Sequence, residues 1–178
     1  MEKDIIIQGL KNEDRKIQQW LYDKYSPIIL GICRRYVKVL EDAEDALIDT
    51  FFKIFTNIHQ YKGAGSFEGW MKRIAVNESL MLLRKNHNFR LTVEISNVDI
   101  PTQSAALNTL QERDLMDLLE KLPTGYRTIF NMYVVEGYKH REIAEILGIS
   151  INTSKSQLIL AKKRLRAFIS DQEMGDVG

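Results

Sequence analysis

The chain is poor in the residues on which most enzymes and secreted folds depend. It has one cysteine in 178 residues, so no internal disulfide can form, and Cys33 is expected to pack as a small hydrophobe in a reducing compartment. The three histidines, His59, His87 and His140, are scattered without metal-ligand spacing, and no glycine-rich phosphate loop of the GxxxxGK kind occurs. These absences leave no catalytic residue, metal or cofactor to assign, and an enzyme is the weakest reading. No run approaches the roughly 18 apolar residues that span a bilayer. The opening MEKDIIIQGL has neither the apolar region nor the cleavage site of a signal peptide. A cytoplasmic protein without membrane insertion is therefore expected. Only three prolines and ten glycines interrupt the chain, and apolar residues recur mostly at steps of three and four, so the expected fold class is all-α.

What is present is charge, unevenly distributed. The formal net charge is only +1, yet Lys139 to Arg166 contains seven bases against two acids. By contrast, Glu41 to Asp49 packs five acids into nine residues with no base. One segment suits a polyanion and the other a basic partner.

The pattern divides the chain into two small helical domains, residues 1–88 and 107–178, joined by a flexible linker over 89–106 where periodicity fades and Asn, Ser, Thr and Pro101 accumulate. In the first domain a helix is expected to start near Asn12, with Ile17, Trp20 and Leu21 on one face. Ser26-Pro27 reads as a cap and restart, followed by Ile28, Ile32 and Tyr36 facing inward. Ala43, Ala46, Leu47, Phe51, Ile54, Phe55 and Ile58 define the next helix, whose carboxylates point outward. The YKGAGSF loop, Tyr61 to Phe67, leads through a Ser66 cap into a helix burying Phe67, Met71, Ile74, Ala75 and Leu82. Trp70 reads as a core residue in that helix. In the second domain Leu107 to Leu122 forms a leucine-rich helix stopped by Pro123. Tyr126, Ile129, Phe130, Tyr133 and Val134 follow, with Gly137 as a C-terminal cap and DQEMGDVG as a frayed tail.

REIAEILGISINTSKSQLILAKKRLRAF, from Arg141 to Phe168, carries the strongest local signal. Ile143, Ala144 and Leu147 make the buried face of a short helix. Gly148-Ile149-Ser150 forms a tight turn, and Leu158, Ala161 and Leu165 bury the next helix. This is a helix-turn-helix pattern, in which the second helix enters the DNA major groove. Asn152, Thr153, Lys155, Ser156, Gln157 and Ile159 are the candidates to touch base edges or phosphates, and Lys162 and Lys163, with Arg164 and Arg166, to follow the backbone. His140 is expected to face solvent or DNA.

Three stretches in order, DAEDALIDTFFKIF, FEGWMKRIAVNESLMLLRK and LPTGYRTIFNMYVVEGYKHREIAEILGIS, make the chain resemble the extracytoplasmic-function (ECF) sigma factors of the sigma-70 family. The resemblance implies an RNA polymerase sigma factor that directs promoter-specific transcription initiation, with core RNA polymerase and promoter DNA, both duplex and non-template single strand, as partners, and it allows for an anti-sigma factor. It gives Asp42, Asp45, Asp49 and Phe52 to polymerase binding. Lys62, Ser66, Lys72, Arg73 and Asn77 fall to the minus-ten element and the helix-turn-helix to the minus-thirty-five element. The chain departs from the family pattern at Met81, often an acid and expected to alter packing under the minus-ten surface; at Ser154, often a valine; and at Gln157, often an arginine. The alternative is a stand-alone helix-turn-helix regulator, which would need no acidic docking helix.

Overall fold

The computed structural model describes residues 3–85 and 112–175. They form eight α-helices and no strand, in two compact units, Met1–Asn88 and Phe89–Gly178. The linker assigned to 89–106, and Leu107 and Leu110, lie outside the described residues.

The first unit begins with a helix that periodicity did not announce, α1 (Lys3–Lys11), which buries Ile6 and Leu10 and leaves Ile5 exposed. Helix α2 (Arg15–Tyr36) is capped by Asp14, not Asn12: its carboxylate accepts from the N–H groups of Lys16 (2.8 Å) and Ile17 (3.4 Å). The two helices approach closely because Gly9 has no Cβ, whose place the Ile17 side chain fills. Pro27 does not restart α2. It lies inside one continuous helix on the exposed side, where its missing N–H costs least, while Leu21, Ile29, Ile32, Cys33 and Tyr36 keep the buried stripe intact. Ile28 is accordingly exposed, and Ile29 takes the inward place expected of it.

Helix α3 (Leu40–Thr56) buries Ala43, Ala46, Leu47, Phe51 and Ile54, as its spacing predicts. Helix α4 (Phe67–Lys85) packs against both α2 and α3, which is why its burial exceeds one stripe and takes in Val76, Ser79, Leu80 and Leu83 as well as Phe67, Met71 and Ala75. Ile74 and Leu82 are half-buried. Small side chains line this core: Cys33, Thr50 and Ser79 are fully buried. Both hydroxyls donate to carbonyls one turn back, Thr50 to Ala46 at 2.6 Å and Ser79 to Ala75 at 2.8 Å, which removes most of the cost of burying them. Burial pushes the Cys33 thiol up, against smaller opposing effects from Ser79 and Thr50, so it packs as a neutral hydrophobe. Glu78, on the buried side of α4, is paired with Lys53 of α3 at 2.7 Å. Met81 does not pack beneath a surface: it is 53% exposed, with its sulfur 3.7 Å from the Lys53 ammonium.

In the second unit, α5 (Glu112–Lys121) contributes Leu118 and Leu119, and α6 (Thr124–Phe130) is buried from Gly125 to Phe130. A π-turn (Asn131–Val135) continues α6, closed by Glu136 N–H donating to Asn131 C=O at 2.9 Å. The extra residue per turn rotates the chain, so Tyr133 and Val134 come out 38% and 46% exposed instead of extending the inner face of α6. Gly137 then turns the chain at φ +77°. Helix α7 (His140–Leu147) begins with Glu142 accepting from Lys139 N–H at 2.8 Å and ends at Gly148 with φ +67°. Ser150 caps α8 (Ile151–Gly175), accepting from Thr153 N–H at 2.9 Å. Helix α8 continues to Gly175, through most of the segment expected to fray.

Candidate functional site

Three surfaces carry the candidate residues. The first is the outer face of α3. Asp45 and Asp49 are exposed and Asp42 is half-buried. Asp42, Asp45, Asp49 and Phe52 fall at steps of three, four and three, so they share one strip. Phe52 is 65% exposed, and Ile48, between the aspartates, is 60% exposed. An acidic strip with two bare apolar side chains is unlike an ordinary solvated face. Ile48 was missed in the sequence because an isoleucine is read inward by default, although it stands off the stripe that buries Ala43, Ala46 and Leu47. Beside this strip a groove of about 460 Å³ opens between α2 and α3, lined by Tyr22, Ser26, Pro27, Leu30, Glu44, Leu47 and Ile48.

The second surface is the loop before α4 and the exposed side of that helix. Lys62 and Ser66 are exposed, and Gly63 and Gly65 take positive φ angles of +78° and +85°. The Ser66 hydroxyl accepts from Gly69 N–H at 3.2 Å, fixing the start of α4. Beneath the loop Tyr61, Phe67 and Trp70 form an aromatic cluster with ring centroids 5.3 to 5.7 Å apart. Trp70 is thus a packing residue, half-buried under the loop. Arg73 and Asn77 are exposed one turn apart. Lys72 lies beside them, half-buried, its ammonium 2.7 Å from Glu68.

The third surface is α8. Asn152, Lys155, Ser156 and Lys163 are exposed; Thr153, Ile159 and Lys162 are half-buried. Asn152, Lys155, Ser156, Ile159 and Lys163 follow one another around a single outer face. Gln157 does not belong to it. It is 2% exposed, held on the inner side with Ser154, Leu158, Ala161 and Leu165. Its polarity suggested an outward position; the stripe that buries its neighbours decided otherwise. Ser154 is fully buried, and its hydroxyl lies 2.9 Å from Nδ1 of His140. The imidazole stacks on Tyr133 with centroids 4.3 Å apart, so His140 ties α7 to α8 and does not simply face solvent. Burial, and then the charges of Lys155 and Lys162, hold its pKa below the ordinary value. Arg164 lies over the Tyr126 ring at 5.1 Å, joining α8 to α6.

Among the described residues no group of three or more His, Cys, Asp or Glu could hold a metal ion, and no helix is long and apolar enough to cross a membrane.

One helical unit thus presents an acidic strip with exposed apolar side chains, and the other a helix-turn-helix whose second helix is basic. Comparison with known proteins makes the class specific. Residues 21–89 match Sigma-70 region 2 and residues 112–165 match Sigma-70, region 4, together more than half of the chain. The ECF RNA polymerase sigma-E factor of Haemophilus influenzae is 24% identical over 174 residues, covering 90% of this chain and 91% of the relative. The ECF RNA polymerase sigma factor SigW of Bacillus subtilis is 25% identical over 183 residues, 93% of this chain and 95% of the relative. The fold is shared with the sigma factor RpoE of Bartonella quintana, solved in complex with the anti-sigma factor NepR, at 20% identity and a TM-score of 0.55, over 88% of this chain and 98% of that one. The chain belongs to the sigma-70 family and is a sigma factor of the extracytoplasmic-function type.

Proposed function

We propose that this sigma factor divides its work among the three surfaces. The outer face of α3 grips core RNA polymerase, the loop from Lys62 to Ser66 with α4 holds the minus-ten element as the non-template strand separates, and the outer face of α8 reads the minus-thirty-five element as duplex. The observation that carries this reading is the exposure of Asp45, Ile48, Asp49 and Phe52 on one strip. A solvated helix face has no use for a bare Phe and Ile, whereas burying each against a partner contributes roughly 1.5–3 kcal/mol, and the carboxylates select a basic partner and speed its encounter.

On the DNA side, unpaired bases need stacking or apolar surface with cations nearby, and each stacked base contributes about 1–3 kcal/mol. Lys62, Arg73 and Lys72 supply cations beside the loop. In the duplex reader, Asn152, Lys155 and Ser156 project from the first two turns of α8, the part of a recognition helix that meets base edges. The chain performs no bond chemistry itself and acts in the cytoplasm, where its polymerase is. An inhibitor of the anti-sigma kind would work by covering the α3 strip.

Paired variants test the division. Asp45→Lys with Asp49→Lys is expected to weaken binding to core polymerase at least tenfold, with thermal stability nearly unchanged because both carboxylates are exposed. Lys155→Ala with Ser156→Ala is expected to leave the polymerase complex intact and reduce promoter selection. If both pairs alter only thermal stability, the surface assignment is wrong.

A further inference from the structure

Helix α1 has no part in the three surfaces, yet one of its side chains reaches the second. The Lys3 ammonium donates to the Gly65 carbonyl at 3.2 Å, across 62 positions of sequence, and lies 5.3 Å from the centroid of the Tyr61 ring. The Tyr61 hydroxyl donates to the same carbonyl at 2.9 Å. Both acceptor positions of that oxygen are therefore taken.

The loop needs such ties. Every residue from Lys62 to Ser66 is exposed, and Gly63 and Gly65 hold positive φ angles with open space around them. Glycine in that state has the largest choice of alternative conformations. The aromatic cluster anchors the loop's two ends, and the Ser66 hydroxyl fixes the start of α4. Between these anchors, the bonds to Gly65 select one loop shape.

We infer that α1 belongs to the minus-ten reader: Lys3 is a positioning residue that, with Tyr61, fixes the loop from Lys62 to Ser66 in the shape that discriminates bases. This rests on the reading of that loop as a minus-ten surface. A preshaped loop favours the bases that fit it, whereas a loop free to rearrange accepts others at smaller cost. Lys3 thus acts on the difference between sequences more than on binding itself.

The test uses the full chain with core RNA polymerase on a promoter fragment recovered by run-off transcription from genomic DNA, beside the same fragment with single substitutions in its minus-ten element. Lys3→Met keeps the side chain's length and helix propensity but removes the donor; Lys3→Arg keeps a donor; Tyr61→Phe removes the second donor. Ala64→Asp, which places a carboxylate on the loop itself, reports whether the loop meets DNA at all. Lys3→Met and Tyr61→Phe are expected to lower the ratio of open-complex formation on the intact fragment over the substituted ones by about 2- to 10-fold, the range one hydrogen bond spans. Hydrogen exchange of residues 62–67 should quicken by a similar factor, Lys3→Arg should restore both, and polymerase affinity and melting temperature should barely move. The inference is overturned if Ala64→Asp changes the ratio while Lys3→Met and Tyr61→Phe leave ratio and exchange untouched, or if Lys3→Met lowers binding to all fragments equally. If Ala64→Asp also leaves the ratio unchanged, the minus-ten reading of the loop fails and takes this inference with it.

Discussion

At the scale of single residues, two polar pairs within the units contribute to stability. Glu78 is 7% exposed and held by Lys53. Lys53→Met would leave that carboxylate buried without its cation and should cost about 1–2 kcal/mol, less than for a fully buried pair because Lys53 is partly exposed; a urea titration of the purified chain checks it. His140 is the second case. Its folded pKa lies below the ordinary 6.5, through burial first and then Lys155 and Lys162. Between the depressed value and 6.5 the unfolded chain holds a proton that the folded one does not, so stability is full above about pH 6.5 and falls as the pH drops below it. His140→Asn should flatten that slope for the second unit. Thermal melts between pH 5 and 8, followed by a probe in that unit, measure it. The tie between His140 and Ser154 was not legible in the sequence. A serine at an inward position is recognisable there, but its partner 14 residues away is set by how α7 and α8 cross.

At the scale of elements, what could be read depended on whether local chemistry or tertiary packing set the outcome. The helix-turn-helix was legible because its turn is local: Gly148 takes φ +67° and Ser150 caps α8, and both follow from residue type. Gly148→Ala meets no neighbouring atom, so its expected cost, about 1–2 kcal/mol, comes from the left-handed backbone alone. Ser150→Ala should cost about 1 kcal/mol by removing the cap. For a unit of this size each kilocalorie corresponds to a fall of roughly 4–8 °C in melting temperature. Elements set by packing were harder to read. Ser26-Pro27 carries every local sign of a helix start, yet the buried stripe from Leu21 to Tyr36 runs past it. Helix α1 was hidden because Ile5 and Ile6 read alike and only Ile6 is buried. The π-turn after α6 shifts the face of Tyr133 and Val134 by an insertion that periodicity cannot register.

At the scale of the whole molecule, the near-zero net charge of +1 sums an acidic strip on α3 and a basic α8. In the proposed reading the acidic strip on α3 attracts a basic partner and the outer face of α8 attracts DNA; their charges cancel in the total while each acts locally within a Debye length of about 8–10 Å. If α8 follows DNA as proposed, removing one exposed cation, as in Lys163→Ala, should reduce the slope of log affinity against log salt by about 1, similarly for all DNA sequences. A change at Asn152 should instead alter preference among sequences. The family was legible because three separated blocks of sequence carry it. Which residues of α8 face outward was only partly so, since Gln157 is drawn inward by the residues around it.

If the chain lends promoter specificity to RNA polymerase through surfaces on both units, run-off transcription should show it. Purified chain, bacterial core RNA polymerase and genomic promoter fragments are combined and the start sites mapped. Discrete starts are expected that require the chain, share upstream elements at minus ten and minus thirty-five, and disappear with Asp45→Lys and Asp49→Lys. Chain-dependent binding to a palindromic duplex, with no transcripts and no complex with polymerase even at low salt, would refute this division of labour.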